Sequence, residues 1–69
     1  MTAAWATIEF IRHGEAVIDV TATDGRWLGG GLIQVRSGRR EDLYEEGYKH
    51  ASVRASAHGL TLDRFAAVN

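Results

Sequence analysis

Few of the side chains in this sequence could carry out chemistry. The chain contains three histidines, His13, His50 and His58, and no cysteine. Without cysteine, disulfides, thiolate zinc sites and cysteine nucleophiles are excluded. No two histidines have the four-residue spacing of a helical zinc site, and no serine or threonine has an evident general base. We therefore expect a protein without metal, cofactor or catalytic activity.

Charged and aromatic residues are concentrated between residues 39 and 48. Glu41 and Glu45, like Asp42 and Glu46, are like-charge pairs four residues apart, and each pair costs a helix roughly a few tenths of a kcal/mol. A cationic partner would relieve this repulsion, and tyrosine beside carboxylates suits a protein interface. A solvated helix start is the alternative interpretation. The predicted partner-binding residues are Arg39, Arg40, Glu41, Asp42, Tyr44, Glu45, Glu46 and Tyr48.

Arginine accounts for seven of the eight basic residues, and arginine is well suited to interfaces. The first 40 residues hold five arginines and four acidic residues, a net charge of +1 and therefore a thin electrostatic footprint. DNA or RNA binding on the sheet side of the molecule is the alternative function. Its predicted binding residues are Arg12, Arg26, Arg36, Arg39 and Arg40, with Trp5 available beside them as an exposed aromatic residue.

The length and composition indicate one folded domain that covers residues 1–69. Hydrophobic residues make up 45% of the chain and charged residues 25%, with a net charge of -1. Because no apolar run approaches the roughly 18 residues of a membrane span and no signal peptide is recognisable, we expect a cytoplasmic location. A domain this small buries only about 60% of its unfolded surface, so a homodimer is a further possibility.

Alternation of apolar and polar residues predicts two strands, at residues 7–12 and 16–23. Residues 13–15 are expected to form the loop between them. A three-residue loop places Ile8 on the same sheet face as Ile18, which gives a continuous apolar face.

Asp24-Gly25 predicts a two-residue type I′ turn, followed by a third strand from Arg26. That turn would place Trp27 opposite Ala22, with its side chain in the core. The three strands would then form an antiparallel meander.

A long helix is predicted from about Arg39 to Ala57. Acidic residues occupy its first turns and basic residues its last ones, as the helix dipole favours, and Gly59 is a natural stop. Small residues at 47, 51 and 55 share one side, so the helix is expected to approach the sheet closely.

After the helix, Thr61 is expected to cap a short second helix with Leu62 and Phe65 on its apolar side. The predicted fold is thus α+β: a three-stranded antiparallel β-meander packed against one long α-helix, with a short C-terminal helix. The predicted core residues are Ile8, Phe10, Ile18, Val20, Trp27, Leu43, Ala51, Leu62 and Phe65.

The run Phe10-Ile11-Arg12-His13-Gly14-Glu15 resembles the Arg-His-Gly-Glu signature of histidine phosphatases and phosphoglycerate mutases. The resemblance covers about six residues and implies a phosphorylated histidine at His13. That family also has a larger α/β domain, further arginines and a second catalytic histidine. Because the motif falls where a hairpin turn is predicted, we interpret His13 and Gly14 as turn residues.

Two further resemblances concern DNA binding. The stretch from Arg54 to Ala66 resembles the first helix, turn and second-helix start of a repressor-type helix-turn-helix. A helix that ends at glycine and is followed by a short packing helix explains the same residues, and we adopt that interpretation. The architecture of a three-stranded sheet followed by a helix resembles the arm-site DNA-binding domains of tyrosine recombinases, which read a groove with the sheet.

From these observations we expect a small non-catalytic protein-binding module that acts by surface contacts. An inhibitor or adaptor of a phage or mobile element, of the anti-CRISPR type, is the class that this interpretation favours by analogy with other small cysteine-free proteins. A sheet-based or helix-turn-helix-like DNA-binding domain is the alternative.

Overall fold

The structure is a computed structural model that describes residues 3–68. Residues 1, 2 and 69, the ends of the predicted single domain, lie outside the described range. The α+β class is confirmed. In chain order the elements are β1 (Ala3–Arg12), β2 (Glu15–Ala22), β3 (Trp27–Gln34), α1 (Arg40–Ala57) and β4 (Thr61–Ala67).

The four strands form one mixed sheet with the order β3-β2-β1-β4. Strands β1, β2 and β3 are joined by two hairpins and pair antiparallel, whereas β4 pairs parallel to β1. Helix α1 connects the two edge strands and packs across one face of the sheet. The prediction of a three-stranded antiparallel meander is therefore wrong, because the sheet contains a fourth strand and this strand makes it a mixed sheet.

The predicted short C-terminal helix is also wrong, because β4 occupies that segment. Leu62 and Phe65 lie three residues apart, a spacing typical of one face of a helix. In the sheet, Leu62 pairs with Ala4 and Phe65 with Ala6, and an irregularity between these pairs inserts one extra residue into β4. Both side chains can then pack towards α1 from a strand. A bulged strand thus has the same apolar spacing as a helix.

The first hairpin has the predicted apolar face but a different register and a shorter loop. A loop of residues 13–15 would pair Ile8 with Val20, whereas Ile8 pairs with Ile18, and Glu15 belongs to β2 and pairs with Arg12. The loop contains two residues, and a bulge near Ile11 adds one residue to β1, so Ile8 and Ile18 still lie on the same face of the sheet.

The second hairpin corrects the placement of Trp27. Gly25 has a φ of 97°, but no residue other than glycine among those described has a positive φ, so the type I′ turn at Asp24-Gly25 does not form. The Ala22 amide instead donates to the Arg26 carbonyl at 2.8 Å, which gives a three-residue loop. Trp27 therefore pairs with Thr21 rather than Ala22. It is 66% exposed, whereas the predicted turn would have buried it.

Leu28 takes the core position that was expected for Trp27. The pairing of β2 with β3 shifts between Thr21 and Val20, and Leu28 is the extra residue of β3 at this point. It is 7% exposed. Beyond the shift, Gly29 pairs with Val20, as expected from the sequence.

Helix α1 begins and ends close to the predicted residues. Arg39 is its N-cap, and the amide of Gly59, which has a φ of 72°, donates to the Ser56 carbonyl beyond the last turn. The predicted small-residue stripe is confirmed: Gly47, Ala51 and Ala55 are buried.

The core lies between α1 and the face of the sheet that α1 covers. Of the predicted core, Phe10, Leu62 and Phe65 are partly buried against it, and Trp27 is outside it. The buried apolar residues are Ala4, Ala6, Ile8, Ala16, Ile18, Val20, Ala22, Leu28, Ile33, Leu43, Ala51 and Ala55. Small side chains are numerous among them, so the two layers approach closely.

Replacing Gly47 with leucine tests this close approach. A Cβ at position 47 would lie 2.9 Å from Ile8 Cδ1 and 3.2 Å from Ile18 Cγ2. Leucine is a better helix former than glycine, but overpacking here should lower the free energy of unfolding by about 2 kcal/mol, measured by urea denaturation. The control is Gly31→Ala, because a Cβ there meets nothing within 4 Å. Equal stability of both variants would contradict the packing described.

Candidate interaction surface

The face of the sheet opposite α1 is uncovered. In β1, Ala4, Ala6 and Ile8 are buried towards the helix, so the alternate residues Trp5, Thr7 and Glu9 project from the other side. We call this side the open face. Three rows of side chains cross it from β3 to β4. The first row is Trp27, Thr21, Trp5 and Arg64; the second is Gly30, Asp19, Thr7 and Ala66; the third is Leu32, Val17 and Glu9.

Large apolar side chains stand on the open face without cover from this chain. Trp27 is 66% exposed, Leu32 55% and Trp5 40%. Isolated exposed apolar residues are common, but these three project from one face of one sheet. Both tryptophans of the chain are among them. Such a surface is typical of an interaction site.

Most side chains of the second row are shorter than the large side chains of the first and third rows, so the second row forms a trough. Its members include glycine, threonine and alanine, whereas the first row carries two tryptophans and the third carries leucine and valine. A cavity of about 320 Å³ occupies the half of this trough nearest β4, and its lining includes Trp5, Thr7, Ala66 and Val68. We call the trough along the second row the groove.

The groove has an exposed carboxylate in its floor. Trp27 Nε1 donates a hydrogen bond of 3.1 Å to Asp19 Oδ1. This bond fixes the edge of the indole towards β2 and leaves Asp19 Oδ2 without a protein partner among the described residues. Glu9, in the third row, makes no ion pair with any residue that the structure describes.

The carboxylate of Glu15, at the end of the open face, is already paired. Arg12 Nε lies 3.0 Å from Glu15 Oε1, and Gln34 Nε2 donates to Glu15 Oε2 at 2.7 Å. Asp19 and Glu9 are therefore the unneutralised acids of this face, and Arg64 at the β4 edge is its unpaired cation within residues 3–68.

The predicted partner-binding residues lie at the start of α1, where intramolecular contacts engage several of them. Arg39 Nη2 lies 3.1 Å from Asp42 Oδ2, and the hydroxyl of Ser37 also donates to that oxygen. The Ser37 hydrogen bond is the main cause, and Arg39 a further one, of a pKa of Asp42 below its usual value. The guanidinium of Arg40 lies over the ring of Phe10, 4.4 Å from its centre. These groups tie α1 to the segment before it and to β1.

The two tyrosines of the predicted set pack against edge strand β4. The hydroxyl of Tyr44 donates to the Phe65 carbonyl at 3.0 Å. The rings of Tyr44 and Tyr48 meet the Phe65 ring edge to face, with centres 4.8 and 5.7 Å away. Tyr44 thus satisfies a carbonyl of an edge strand, which would otherwise be available to another chain.

The acidic members of the set are divided between paired and unpaired groups. Glu46 Oε2 lies 3.4 Å from His50 Nε2, and Glu46 Oε1 lies 4.0 Å from Lys49 Nζ. Glu41 and Glu45 are exposed and make no ion pair with other described residues. The start of α1 therefore offers two unneutralised carboxylates rather than a continuous acidic and aromatic surface.

The predicted nucleic-acid-binding arginines are not brought onto one surface. Arg26 lies in the turn between β2 and β3, where it forms a 2.9 Å ion pair with Asp24. Arg12, Arg36, Arg39 and Arg40 lie at the opposite end of the sheet. Among these four, Arg36 and Arg40 make no ion pair within the described part of the chain.

The histidine motif forms part of the first hairpin turn. His13 and Gly14 are the turn residues, as interpreted from the sequence. The His13 ring lies so close to Gly38 that a Cβ there would collide with it. A cleft of about 340 Å³ beside this turn is lined partly by Phe10, His13 and Arg40. Within residues 3–68 there is no cluster of three or more histidines and carboxylates that could hold a metal ion.

The open face is not among the sites predicted from the sequence, although Trp5 was predicted to be an exposed aromatic residue. The signal was the alternation that begins at Ala4 and continues to Glu9, because it assigns Trp5 to the side opposite Ile8. A two-residue turn in the second hairpin would place Trp27 on the helix side of the sheet, so its position on the open face was not predicted from the sequence.

Comparison of the chain with models of protein families, with curated proteins and with solved structures gave no match. Within residues 3–68, no helix is at once long and apolar enough to cross a membrane.

The pH dependence of stability tests the Asp42 contacts. A folded-state pKa below the usual 3.8 means that the ionised carboxylate stabilises the fold above that pH, and this contribution is lost as the pH falls through the lower folded-state value. Asp42→Asn should therefore have a lower Tm than the unsubstituted protein near neutral pH, and the difference should shrink towards about pH 2.

Asp63→Asn is the control for this measurement, because Asp63 is an exposed carboxylate with no ion pair among the described residues. Its effect on Tm near neutral pH should be smaller. A deficit of Asp42→Asn that stays constant from neutral to acid pH would contradict the role of the carboxylate.

Proposed function

We propose that this protein is a small non-catalytic protein-binding module and that it binds through the open face. The observation that carries the proposal is the exposure of Trp5, Trp27 and Leu32 on one uncovered face of the sheet. Aromatic residues are enriched at protein interfaces and supply much of the binding energy there. Full burial of a side chain such as Leu32 would contribute about 1.5–3 kcal/mol.

The start of α1 is a less suitable primary surface than the sequence suggested. Arg39, Asp42 and Tyr44 already make intramolecular contacts, so a partner would have to compete for them. Glu41 and Glu45 have no such partner in the described chain and can attract a basic partner over a distance, which raises the association rate more than the affinity. We assign them that auxiliary role.

A module of this kind acts as an inhibitor or an adaptor, since its surface can block or bridge a partner without changing it chemically. An anti-CRISPR-type protein of a phage or mobile element is the class we propose by analogy, with the cytoplasm as its place of action. The small size of the domain and the absence of cysteine support this analogy.

Nucleic-acid binding is the second candidate, and the grouping of Arg12, Arg36, Arg39 and Arg40 at one end of the sheet favours it. Arg12 and Arg39 are paired with Glu15 and Asp42, which reduces the positive potential at that end. If this candidate is correct, affinity for a duplex should fall steeply with salt, and Arg36→Ala should weaken binding.

Capture experiments with two matched variants test the proposed binding face. Leu32→Glu places a charge on the open face, whereas Val53→Glu places one on α1, where the valine is 70% exposed. Proteins retained from a lysate of the source cells by the tagged chain should also be retained by Val53→Glu. Their recovery with Leu32→Glu should fall about tenfold, because a charge replaces an apolar side chain in the proposed interface.

Nuclease treatment of the lysate separates the two candidate functions. Proteins that are still captured after nuclease treatment, but not by the Leu32→Glu variant, would support binding through the open face. Material that is lost after nuclease treatment would support nucleic-acid binding at the end of the sheet that carries Arg12, Arg36, Arg39 and Arg40. Equal retention by all the variants would refute the open face as the binding surface.

A further inference from the structure

We infer that the groove binds a segment of another protein in which a lysine or arginine lies between two apolar side chains. The inference rests on the proposed function and specifies the chemistry of the partner. The cationic group is placed at the carboxylate of Asp19, and the apolar side chains contact Trp27 and Trp5.

The dimensions of the groove fit one helix of a partner. Trp5 and Glu9 mark its two sides along β1, and four residues of a strand span about 14 Å. An α-helix with its side chains is about 10–12 Å wide. The backbones of the first and third rows are thus about one helix diameter apart, so a partner helix can lie across the strands with one line of its side chains in the groove.

The spacing of the tryptophans sets the spacing of their contacts. Trp27 and Trp5 belong to the same row with β2 between them, so their backbones are two strand spacings, or about 10 Å, apart. Seven residues of a helix rise about 10.5 Å. Apolar residues at positions i and i+7 of the partner would reach the two indoles, and position i+3 or i+4 would lie above β2.

Asp19 is the β2 residue of the groove floor and is the group that a side chain at i+3 or i+4 would meet. One of its oxygens accepts from Trp27 Nε1 at 3.1 Å, so the carboxylate and the indole are held side by side. A guanidinium or ammonium group can bond to the carboxylate and lie over an indole face at the same time. Glu9, in the third row, adds a second negative charge next to the groove.

The same charges disfavour other occupants. The open face carries two unneutralised acids, Asp19 and Glu9, against one unpaired cation, Arg64, within residues 3–68. If two copies of this chain packed through their open faces, like net charges would therefore meet across sheets about 10 Å apart. Nucleic acid could stack on the tryptophans, but its phosphates would meet the same carboxylates. A basic and apolar protein segment satisfies both features of the face.

Selection from a random library of peptides of about twelve residues, displayed on phage, tests this inference with the full chain as bait. Enriched peptides should contain lysine or arginine at i+3 or i+4 between apolar residues at i and i+7. Synthetic copies should change the fluorescence of the protein, because its two tryptophans both lie on the open face. For these peptides, Asp19→Asn should weaken binding by about tenfold, since it removes a charge-assisted hydrogen bond but keeps the side-chain shape.

Glu45→Gln is the matched control, because it removes an exposed carboxylate on α1 with no ion pair among the described residues. It should bind the peptides as the unsubstituted chain does. Enriched peptides that require Leu32 but lack a basic residue, or that bind Asp19→Asn as tightly as the unsubstituted chain, would overturn the inference. The proposed function would then still stand.

Two other outcomes would contradict more than the partner chemistry. If no peptide is enriched, or if enriched peptides bind Leu32→Glu unchanged, both the inference and the open face as a protein-binding surface are refuted. If sedimentation shows a dimer that Leu32→Glu dissociates, a second copy occupies the face and the inference is overturned.

Discussion

Three of the four buried residues of α1, Gly47, Ala51 and Ala55, have little or no side chain, and the rest of the architecture depends on this close contact with the sheet. Gly47 lies directly over Ile8 and Ile18 of the two central strands, with no room for a Cβ. A single helix held at this distance crosses one face of a four-stranded sheet. Within the described chain no second layer covers the other face, so its alternate side chains remain exposed.

Irregularities in the strands decide which side chains reach that face. Each of the three strand pairings contains one register shift. The shift at Leu28 buries the leucine and turns Trp27 outwards, while the shift in β4 allows Leu62 and Phe65 to pack towards the helix. Because side chains alternate along a strand, one added residue moves every later side chain to the opposite face.

Intramolecular pairing distinguishes the two surfaces that were candidates for binding. At the start of α1, Asp42 and Tyr44 are occupied by contacts that hold the helix to its neighbours. On the open face, Trp5 and Leu32 are exposed and Asp19 is bonded only through one oxygen to Trp27. A surface whose apolar and charged groups lack partners within the chain gains more free energy from binding than a surface whose groups are already paired.

The sequence by itself determined the α+β class, the shared sheet face of Ile8 and Ile18 and the limits of α1, because strand alternation, helix capping and charge placement are local properties. Only the tertiary structure decided that β4 is a strand and that Trp27 lies outside the core. Parallel pairing of β4 with β1 joins segments that are distant in the chain, and a bulge at Leu28 leaves no local signal in composition. The open face depends on both features, so sequence patterns identified Trp5 but not the groove beside it.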